Sequence, residues 1–365
     1  MELKFFMPTK VLIGKDVVLN NSNLLKEFGT KALIVTGRSS SKKNGSLDNV
    51  ISALKKENIG YIIFDEIEEN PSVESVVKAA DLGKSENVDF IIGIGGGSPI
   101  DASKAIGVMI KNKDLTGETL FSIETLESID IVAVPTTAGT GTETTQYSII
   151  TDHKNKTKRN LGQSIFAKLA LVDASYMMGM NANITRNTAF DAVSHIVEGY
   201  LNTNANLITD GLCEKALSVW GECIPSLLKG EFTLSDREKL MLASNMAGII
   251  IAQTGTSIPH GMGYPLTYFK NVSHGLANGC LYKEYLKVFK NREKVNNIYK
   301  CLGLKSYEEL EDIIDKLTKI NIDVSEEELR VWSRDFAANK GKLKNHPESI
   351  TEKEIFEIYK NSLIK

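Results

Sequence analysis

Residues 187–200, NTAFDAVSHIVEGY, carry the pattern from which the fold of this chain can be worked out. The apolar residues of this stretch recur at helical spacing, which favours a helix over a strand: Phe190, Val193, Ile196, Val197 and Tyr200, followed by Leu201. Asp191 and His195 are four residues apart, so a helix places both side chains on one face, about one turn apart. Because they flank the apolar stripe, we expect both to be half-buried. Such a pair is suited to binding one metal ion from a single helix.

Two more histidines, His260 and His274, follow in SIPHGMGYPLTYFKNVSHGLANG, residues 257–279. One carboxylate and three imidazoles form a ligand set for a divalent transition metal. The alternative is that all four are surface residues or hydrogen-bonded core residues, because D-x-x-x-H also recurs by chance. The segment 241–259 argues against this, since it is uncharged and indicates a buried core helix rather than a membrane span. Its end delivers His260 to the interior, where an imidazole needs a partner.

Length and composition indicate a soluble globular protein with two domains. The chain has 365 residues, of which 42% are hydrophobic and 24% are charged. The net charge is −3 and no strongly basic block occurs, so nucleic acid is not an expected partner. Four cysteines without a C-x-x-C pair predict reduced thiols in a cytoplasmic protein. We expect neither a signal peptide nor a membrane segment.

Residues 1–180 alternate between strand and helix patterns. Apolar runs of strand length occupy residues 31–36, 61–64, 89–94, 129–134 and 169–172, and helical patterns occupy 46–56 and 72–84. This alternation predicts an α/β domain with a largely parallel sheet, and a hairpin is expected within residues 147–168.

Residues 181–365 carry helical patterns only, which predicts an all-helical second domain. The predicted helices are 187–201, 210–229, 236–258, 282–301, 306–320, 325–338 and 351–363. A cleft between two such domains is a common place for a cofactor and its substrate. The remaining histidines, His153 and His346, lie in polar, turn-like sequence and are predicted to be exposed.

Two glycine-rich segments are candidates for binding a nucleotide. In residues 89–107, DFIIGIGGGSPIDASKAIG, a strand leads into a triple glycine and a helix start. Ser98 suits the helix cap and Pro99 its first position, while Gly95, Gly96 and Gly97 allow phosphates to approach the backbone amides. In residues 135–145, PTTAGTGTETT, hydroxyls and glycines again follow a strand. A simple glycine-rich or capped turn is the alternative in both places.

Together these motifs resemble those of the iron-containing (group III) alcohol dehydrogenases, in particular members of the propanediol and butanol dehydrogenase type. The matching motifs are D-A-x-x-H-x-x-E-G-Y at residues 191–200, H-G-x-x-N at 274–278, G-G-G-S-P-x-D at 95–101 and P-T-T-A-G-T-G at 135–141. The resemblance extends over nearly the whole chain. It implies an α/β dinucleotide-binding domain at 1–180, an all-α, dehydroquinate synthase-like metal-binding domain at 181–365, and a homodimer.

The resemblance also implies a set of site residues. The implied metal ligands are Asp191, His195, His260 and His274, with Fe²⁺ as the expected ion and Zn²⁺ as the alternative. The implied cofactor contacts are Gly95, Gly96, Gly97, Ser98, Asp101, Thr136, Thr137, Thr140 and, in a region that matches the family less closely, Lys158.

The end of strand 31–36 bears on the choice of cofactor. An acid there would bind the adenosine ribose and repel a 2′-phosphate. Here the place is taken by Gly37, followed by Arg38 and Ser39, and the local sequence offers no carboxylate. We therefore predict cofactor contacts at Gly37 and Ser39, with NADP(H) preferred and NAD(H) also possible.

The chain departs from the family at Tyr264. Many members carry a histidine four residues after the first ligand of the C-terminal pair, where it is thought to help relay the alcohol proton. A phenol is poorly matched to proton exchange near neutral pH. Tyr264 would lie on the same face as His260 if the segment is helical, and we predict that it forms a wall of the substrate pocket.

The predicted function is metal-dependent hydride transfer between NAD(P)(H) and a small primary alcohol or aldehyde, with the metal polarising the substrate oxygen. One alternative is a metal-dependent lyase or cyclase of the dehydroquinate synthase type, although the D-x-x-x-H pair with H-G-x-x-N matches the dehydrogenases better. The other is a non-catalytic nucleotide-binding protein, which would not need a complete set of metal ligands.

Overall fold

The computed structural model describes residues 3–121 and 124–364. Two compact units are present: Met7–Met180 forms one, and Asn181–Lys365 together with Met1–Phe6 forms the other. In the second unit Phe6 and Gln253 exchange two hydrogen bonds, from Phe6 N to Gln253 Oε1 (2.9 Å) and from Gln253 Nε2 to Phe6 O (2.8 Å). Phe6 is therefore held on the helical unit.

The unit Met7–Met180 contains a six-stranded parallel sheet and a separate antiparallel hairpin. Its strands are β1 (Lys10–Ile13), β2 (Lys31–Gly37), β3 (Gly60–Ile67), β4 (Phe90–Gly95), β5 (Asp130–Pro135), β6 (Ile149–Asp152), β7 (Thr157–Asn160) and β8 (Leu169–Val172). Its α-helices are α1 (Val17–Asn20), α2 (Ser40–Lys43), α3 (Ser46–Lys56), α4 (Val73–Ser85) and α5 (Gly97–Lys111). The strand order is β1-β8-β5-β4-β2-β3, and β6 pairs with β7.

Alternate strand residues build two hydrophobic layers, one on each face of the sheet. In β2, Ala32 and Ile34 pack with residues of α3, whereas Leu33 and Val35 pack with residues of α4 and α5. This follows from the two-residue period of a strand, and a sheet covered on both faces needs continuous apolar runs. The five predicted strands, both predicted helices and the expected hairpin are present. The prediction omitted β1, a four-residue strand that pairs with β8 and is only half-buried, so its apolar signal is weak.

The unit that contains Asn181–Lys365 is helical. Its helices are α6 (Ala182–Tyr200), α7 (Leu207–Gly221), α8 (Ile224–Lys229), α9 (Leu234–Thr254), α10 (Ile258–Lys270), α11 (His274–Gly279), α12 (Tyr282–Lys287), α13 (Glu293–Cys301), α14 (Tyr307–Leu317), α15 (Glu326–Ala337), α16 (Lys340–Leu343) and α17 (Glu352–Leu363). The predicted fold class, a parallel α/β domain followed by an all-helical domain, is confirmed.

Several local predictions need correction. Residues 210–229 and 282–301 each form two helices rather than one, and α10 and α11 were not predicted because glycines and Pro265 interrupt their pattern. His153 is exposed as expected, but the prediction for His346 is wrong, since only 5% of its surface is accessible. It packs against the rings of Tyr285 and Phe289.

All four cysteines are free thiols, and two of them, Cys213 and Cys223, are buried. Within the described ranges, no helix has both the length and the apolar character that crossing a membrane requires.

Candidate functional site

Helix α6 supplies the first two side chains of the candidate metal site. The helix begins at an N-cap, where Asn181 Oδ1 accepts a hydrogen bond from the backbone N–H of Ile184 (2.9 Å). Asp191 and His195 then lie on one face, as the spacing predicts. The expectation that they are half-buried is wrong: they are 4% and 5% exposed.

Close packing of α11 against α6 accounts in part for this burial. A Cβ atom at Gly275 would lie 1.9 Å from the backbone oxygen of Asn187, so only glycine permits the observed approach. The same approach brings the first residue of α11, His274, towards Asp191.

The other two predicted ligands come from α10 and α11, and the structure brings them to Asp191. His260 Nε2 lies 3.6 Å from Asp191 Oδ1, and His274 Nε2 lies 3.7 Å from the same oxygen. One ligand atom from each of Asp191, His195 and His260 lies within 4.8 Å of the other two. Three of the four residues are buried, while the His274 side chain is 34% exposed. The structure therefore brings the predicted ligands together in the helical unit, and His274 is the most exposed of the four.

The hydrogen bonding of this cluster is incomplete in a way that fits a cation. In the described part of the chain, Asp191 Oδ1 and His260 Nε2 are buried and have no hydrogen-bond partner. Leaving such an atom unsatisfied costs about 1–3 kcal/mol, so native proteins seldom bury one without a use. Carboxylate oxygen and imidazole nitrogen are ligands that Fe²⁺ and Zn²⁺ accept. The residues present therefore fit a divalent transition metal.

Electrostatics within the cluster are dominated by the carboxylates. Burial alone would lower the pKa of His260, but the nearby carboxylates of Glu198 and Asp191 outweigh it and raise the pKa to about 9. Burial opposes ionisation of Asp191, yet the surrounding histidines hold the pKa of its carboxyl well below the usual range.

The two glycine-rich segments adjoin one another in the α/β unit. Thr136 N donates to Gly95 O (2.8 Å), which joins the ends of β5 and β4. A Cβ at Gly96 would lie 3.1 Å from Thr137 Oγ1, and one at Gly97 would lie 2.8 Å from Thr140 Cγ2. Both threonines therefore press against the start of α5, where the backbone amides are available to an anion.

Contrary to the sequence prediction, Ser98 does not cap helix α5. Helix α5 begins at Gly97, so Ser98 and Pro99 lie inside its first turn, and the N-cap is Gly96. Ser98 Oγ accepts a hydrogen bond from the backbone N–H of Asn70 (3.1 Å). Lys158 Nζ donates to Asn70 Oδ1 (2.7 Å), so this lysine is linked to Ser98 through Asn70. The structure thus brings Lys158 to the glycine loop.

Asp101 is engaged within the protein. Its Oδ1 accepts from Thr142 Oγ1 (2.5 Å) and its Oδ2 from Ile149 N (3.1 Å). One turn later the fully buried Lys104 donates to Thr142 O (2.9 Å), Thr145 O (2.9 Å) and Tyr147 O (2.6 Å). Burial lowers the pKa of Lys104 to about 8, although Asp101 and Glu143 act in the opposite direction. The pair ties the start of α5 to the threonine-rich segment.

The region around Gly37 contains a carboxylate that the local sequence did not reveal. Gly37 ends β2, and Asp65 lies on the neighbouring β3. Asp65 forms an ion pair with Lys42, which holds the pKa of the Asp65 carboxyl below its usual range. The two acids of β3, Asp65 and Glu66, are therefore both paired with cations, Lys42 and Lys78 respectively.

Comparison with known proteins gives consistent matches over both units. Residues 8–174 match the family model described as iron-containing alcohol dehydrogenase, and residues 185–363 match that of the C-terminal part of the Fe-containing alcohol dehydrogenase family. The chain is 29% identical to an NADPH-dependent butanol dehydrogenase of Clostridium saccharobutylicum over 97% of this chain and 92% of that protein. It is also 29% identical to an NAD-dependent methanol dehydrogenase of Bacillus methanolicus, over 75% of this chain and 72% of that protein.

Among solved structures, an iron-containing alcohol dehydrogenase from Thermotoga maritima superimposes with a TM-score of 0.92. It shares 38% identity with this chain, and the match covers 99% of each chain.

Proposed function

This chain belongs to the iron-containing alcohol dehydrogenase family, and we propose that it uses one divalent metal ion and NADP(H) to interconvert a small primary alcohol and its aldehyde. Its relatives are NAD(P)-dependent dehydrogenases of small alcohols. The observation that carries the proposal is the buried cluster of Asp191, His195 and His260, in which Asp191 Oδ1 and His260 Nε2 have no hydrogen-bond partner among the described residues.

In this proposal Asp191, His195, His260 and His274 hold the ion, with Fe²⁺ expected. A bound divalent cation acts as a Lewis acid that favours ionisation of an alcohol and stabilises negative charge on a carbonyl oxygen. The three buried ligands fix the position of the ion and exclude water from one side of it. The partly exposed His274 marks the side from which a substrate approaches, and Tyr264 lines that side. Its ring lies 6.4 Å from that of His274, centroid to centroid, at 23°.

The α/β unit would bind the nucleotide. The backbone amides at the start of α5 would hold the pyrophosphate. Gly95, Gly96 and Gly97 allow close packing of this loop, since Cβ atoms there would meet Pro99, Thr137 and Thr140. Thr137 and Thr140, which touch this loop, and Lys158, which reaches it through Asn70, contribute hydroxyl and ammonium donors. Asp101 supports the loop through the hydrogen bonds that its two carboxylate oxygens accept from Thr142 and Ile149, and its remaining acceptor sites could bind a cofactor hydroxyl.

A substrate and cofactor screen tests the proposal. We expect the protein loaded with Fe²⁺ under anaerobic conditions to oxidise straight-chain primary alcohols and reduce the matching aldehydes, and the metal-free protein to be inactive. Nucleotide binding without turnover of any alcohol or aldehyde in the metal-loaded protein would instead favour a non-catalytic role. Neither the family match nor the named relatives favour the lyase or cyclase alternative.

The cofactor preference is tested at Gly37. A Cβ there would lie 3.3 Å from Ile67 O, a tight but tolerable contact, so Gly37→Ala serves as the control for steric change alone. We expect wild-type kcat/KM to favour NADPH over NADH, Gly37→Ala to keep that preference, and Gly37→Asp to shift it towards NADH, because a carboxylate repels the 2′-phosphate. A wild-type kcat/KM that strongly favours NADH would contradict the proposal.

We also infer that the protein works as a homodimer in the cytoplasm. The free thiols support a reducing compartment, and the dimer rests on the family resemblance. Light scattering coupled to size exclusion should give about twice the mass of one chain, whereas a monomer would contradict the inference.

A further inference from the structure

Glu198 is a fully buried carboxylate that neither the ligand set nor the nucleotide site uses. It is 0% exposed and lies seven residues after Asp191, so Asp191, His195 and Glu198 follow one face of α6. A carboxylate removed from water must be compensated by hydrogen bonds and charge. The contacts of Glu198 therefore indicate what it does.

Each oxygen of Glu198 has a defined partner. Oε1 lies 2.5 Å from His260 Nδ1 and accepts from Tyr282 OH at 2.8 Å, and Oε2 accepts from the backbone N–H of Ser257 at 2.5 Å. Ser257 is the N-cap of α10, and His260 is the third residue of that helix. One carboxylate thus holds both the start of α10 and the imidazole that α10 carries, at the end of the helix that favours negative charge.

The contact with Nδ1 determines which ring nitrogen of His260 is available. A carboxylate only accepts hydrogen bonds, so Nδ1 carries the proton and the Nε2 lone pair is left for a ligand. Nε2 is the atom that lies 3.6 Å from Asp191 Oδ1 and has no hydrogen-bond partner within the described ranges. The arrangement matches the carboxylate–histidine–metal triads in which an outer carboxylate orients the ligand and raises its basicity.

We propose that Glu198 is a positioning residue that holds His260 in the Nδ1-protonated form, with Nε2 directed at the cation held by Asp191. This inference rests on the metal site of the proposed function and assigns to Glu198 a part of the affinity of that site. Tyr282 contacts the same carboxylate oxygen as His260, and its hydroxyl also lies 2.8 Å from Ser194 O.

Glu198→Gln is the informative change because it keeps the shape and removes the charge. If the amide oxygen faces His260, the NH₂ group meets the Ser257 N–H, donor against donor. If the amide is reversed, its NH₂ group faces Nδ1, which favours the tautomer with the proton on Nε2 and so blocks the ligand atom. Both orientations weaken the site, and we expect a loss of about 10–100-fold in metal affinity.

The experiment measures metal affinity and ligand-field spectra rather than turnover. Metal-free full-length wild type, Glu198→Gln and Glu214→Gln are titrated with Zn²⁺ against a chromophoric chelator, and the visible spectrum of each is recorded with Co²⁺. Glu214 controls for the loss of one negative charge in the same unit, because it is an exposed carboxylate that is hydrogen-bonded to Tyr200 and Asn297 instead of a proposed ligand. We expect weaker binding and an altered Co²⁺ spectrum for Glu198→Gln only.

If wild type binds the metal and folded Glu198→Gln binds it within about twofold of wild type, the inference is overturned while the proposed function stands. If wild type binds none, both fail. Should Glu198→Gln not fold, Glu198→Asp keeps the charge on a shorter side chain that reaches less far towards Nδ1. It should lose metal affinity relative to wild type, and wild-type affinity in Glu198→Asp would equally overturn the inference.

Discussion

The buried polar cluster around Lys104 in the α/β unit differs from the cluster around Asp191 in the helical unit in how its atoms are satisfied. Lys104 Nζ lies within 2.9 Å of oxygens from Thr142, Thr145 and Tyr147, and both oxygens of Asp101 accept hydrogen bonds. In the helical unit Asp191 Oδ1 and His260 Nε2 are equally buried, yet no group of the described chain bonds to them.

This difference separates structural charge from charge directed at a ligand. A buried ammonium surrounded by protein oxygens stabilises the segments that supply those oxygens, and it has no donor left for a cofactor. Buried ligand atoms without partners would destabilise the protein unless something else binds them. Both clusters contain buried charged side chains. Their roles differ because the polar atoms around Lys104 have hydrogen-bond partners, whereas Asp191 Oδ1 and His260 Nε2 have none in the described chain.

The largest expected effect on stability comes from Lys104→Met. The change removes the positive charge that acts on the partly buried Asp101 carboxylate and the donor shared by three backbone oxygens, so it should cost about 3–5 kcal/mol in unfolding free energy. Nucleotide affinity should also decrease, because the hydrogen bonds of Lys104 that connect helix α5 to the threonine-rich segment are lost. Urea unfolding and NADP(H) titration measure the two effects.

The control for Lys104→Met is Lys111→Met in the last turn of the same helix. The Lys111 side chain is 49% exposed and its ion pair with Glu127 spans 3.9 Å, so its loss should change stability by less than about 1 kcal/mol. If Lys104→Met and Lys111→Met changed the unfolding free energy equally, the hydrogen bonds of the buried Lys104 would not stabilise the fold in the way described.

A smaller effect is expected from His346, a buried histidine that lies outside both clusters. Burial lowers its pKa to about 4, against the opposing effect of Glu348 and Glu354. Between pH 6.5 and pH 4 the histidine is therefore protonated in the unfolded chain but largely neutral in the folded chain. The free energy of unfolding consequently decreases as the pH falls.

His346→Phe removes this titration. Between pH 7.5 and pH 5, metal-free wild type should lose roughly 2 kcal/mol more unfolding free energy than the variant. Parallel curves for wild type and His346→Phe would show that burial does not perturb this histidine.

The smallest effect is expected from Tyr264→Phe. Helix α10 does place Tyr264 one turn after His260, and its ring faces that of His274. If the phenol lines the pocket without relaying protons, kcat should change less than about tenfold. Tyr264→Ala should mainly alter the preferred substrate size. A hundredfold or greater loss of kcat in Tyr264→Phe, with metal and cofactor still bound, would place the hydroxyl in the proton path.

Periodicity and glycine patterns were enough to predict the parallel sheet, helix α6 and the glycine loop at the start of α5. They did not reveal the partners of Lys104, which lie about 40 residues later in the chain, or the contact between Glu198 and His260, which are 62 residues apart. Hydrogen bonds between segments that are far apart in the chain do not produce a repeating pattern in the sequence. The sequence did contain a weak sign, since Lys104 and Glu198 are charged residues among small and apolar helix residues. Burying such a charge costs free energy unless it has a partner elsewhere in the chain.

The same limit applies to burial and to cofactor choice. Half-burial of Asp191 and His195 was inferred from α6 alone, whereas the close approach of α11 at Gly275 depends on a segment that was not recognised as helical. Asp65 was overlooked near Gly37 because sheet pairing, not sequence distance, brings β3 beside β2.

The central claim is that Asp191, His195, His260 and His274 form one metal site, and calorimetric titration of the metal-free protein tests it most directly. Under anaerobic conditions with Fe²⁺, wild type should bind one ion per chain. Asp191→Asn has the same shape but lacks the charge, and it should bind Fe²⁺ at least about a hundredfold more weakly while NADP(H) affinity stays unchanged. Wild-type Fe²⁺ affinity in Asp191→Asn would contradict the account.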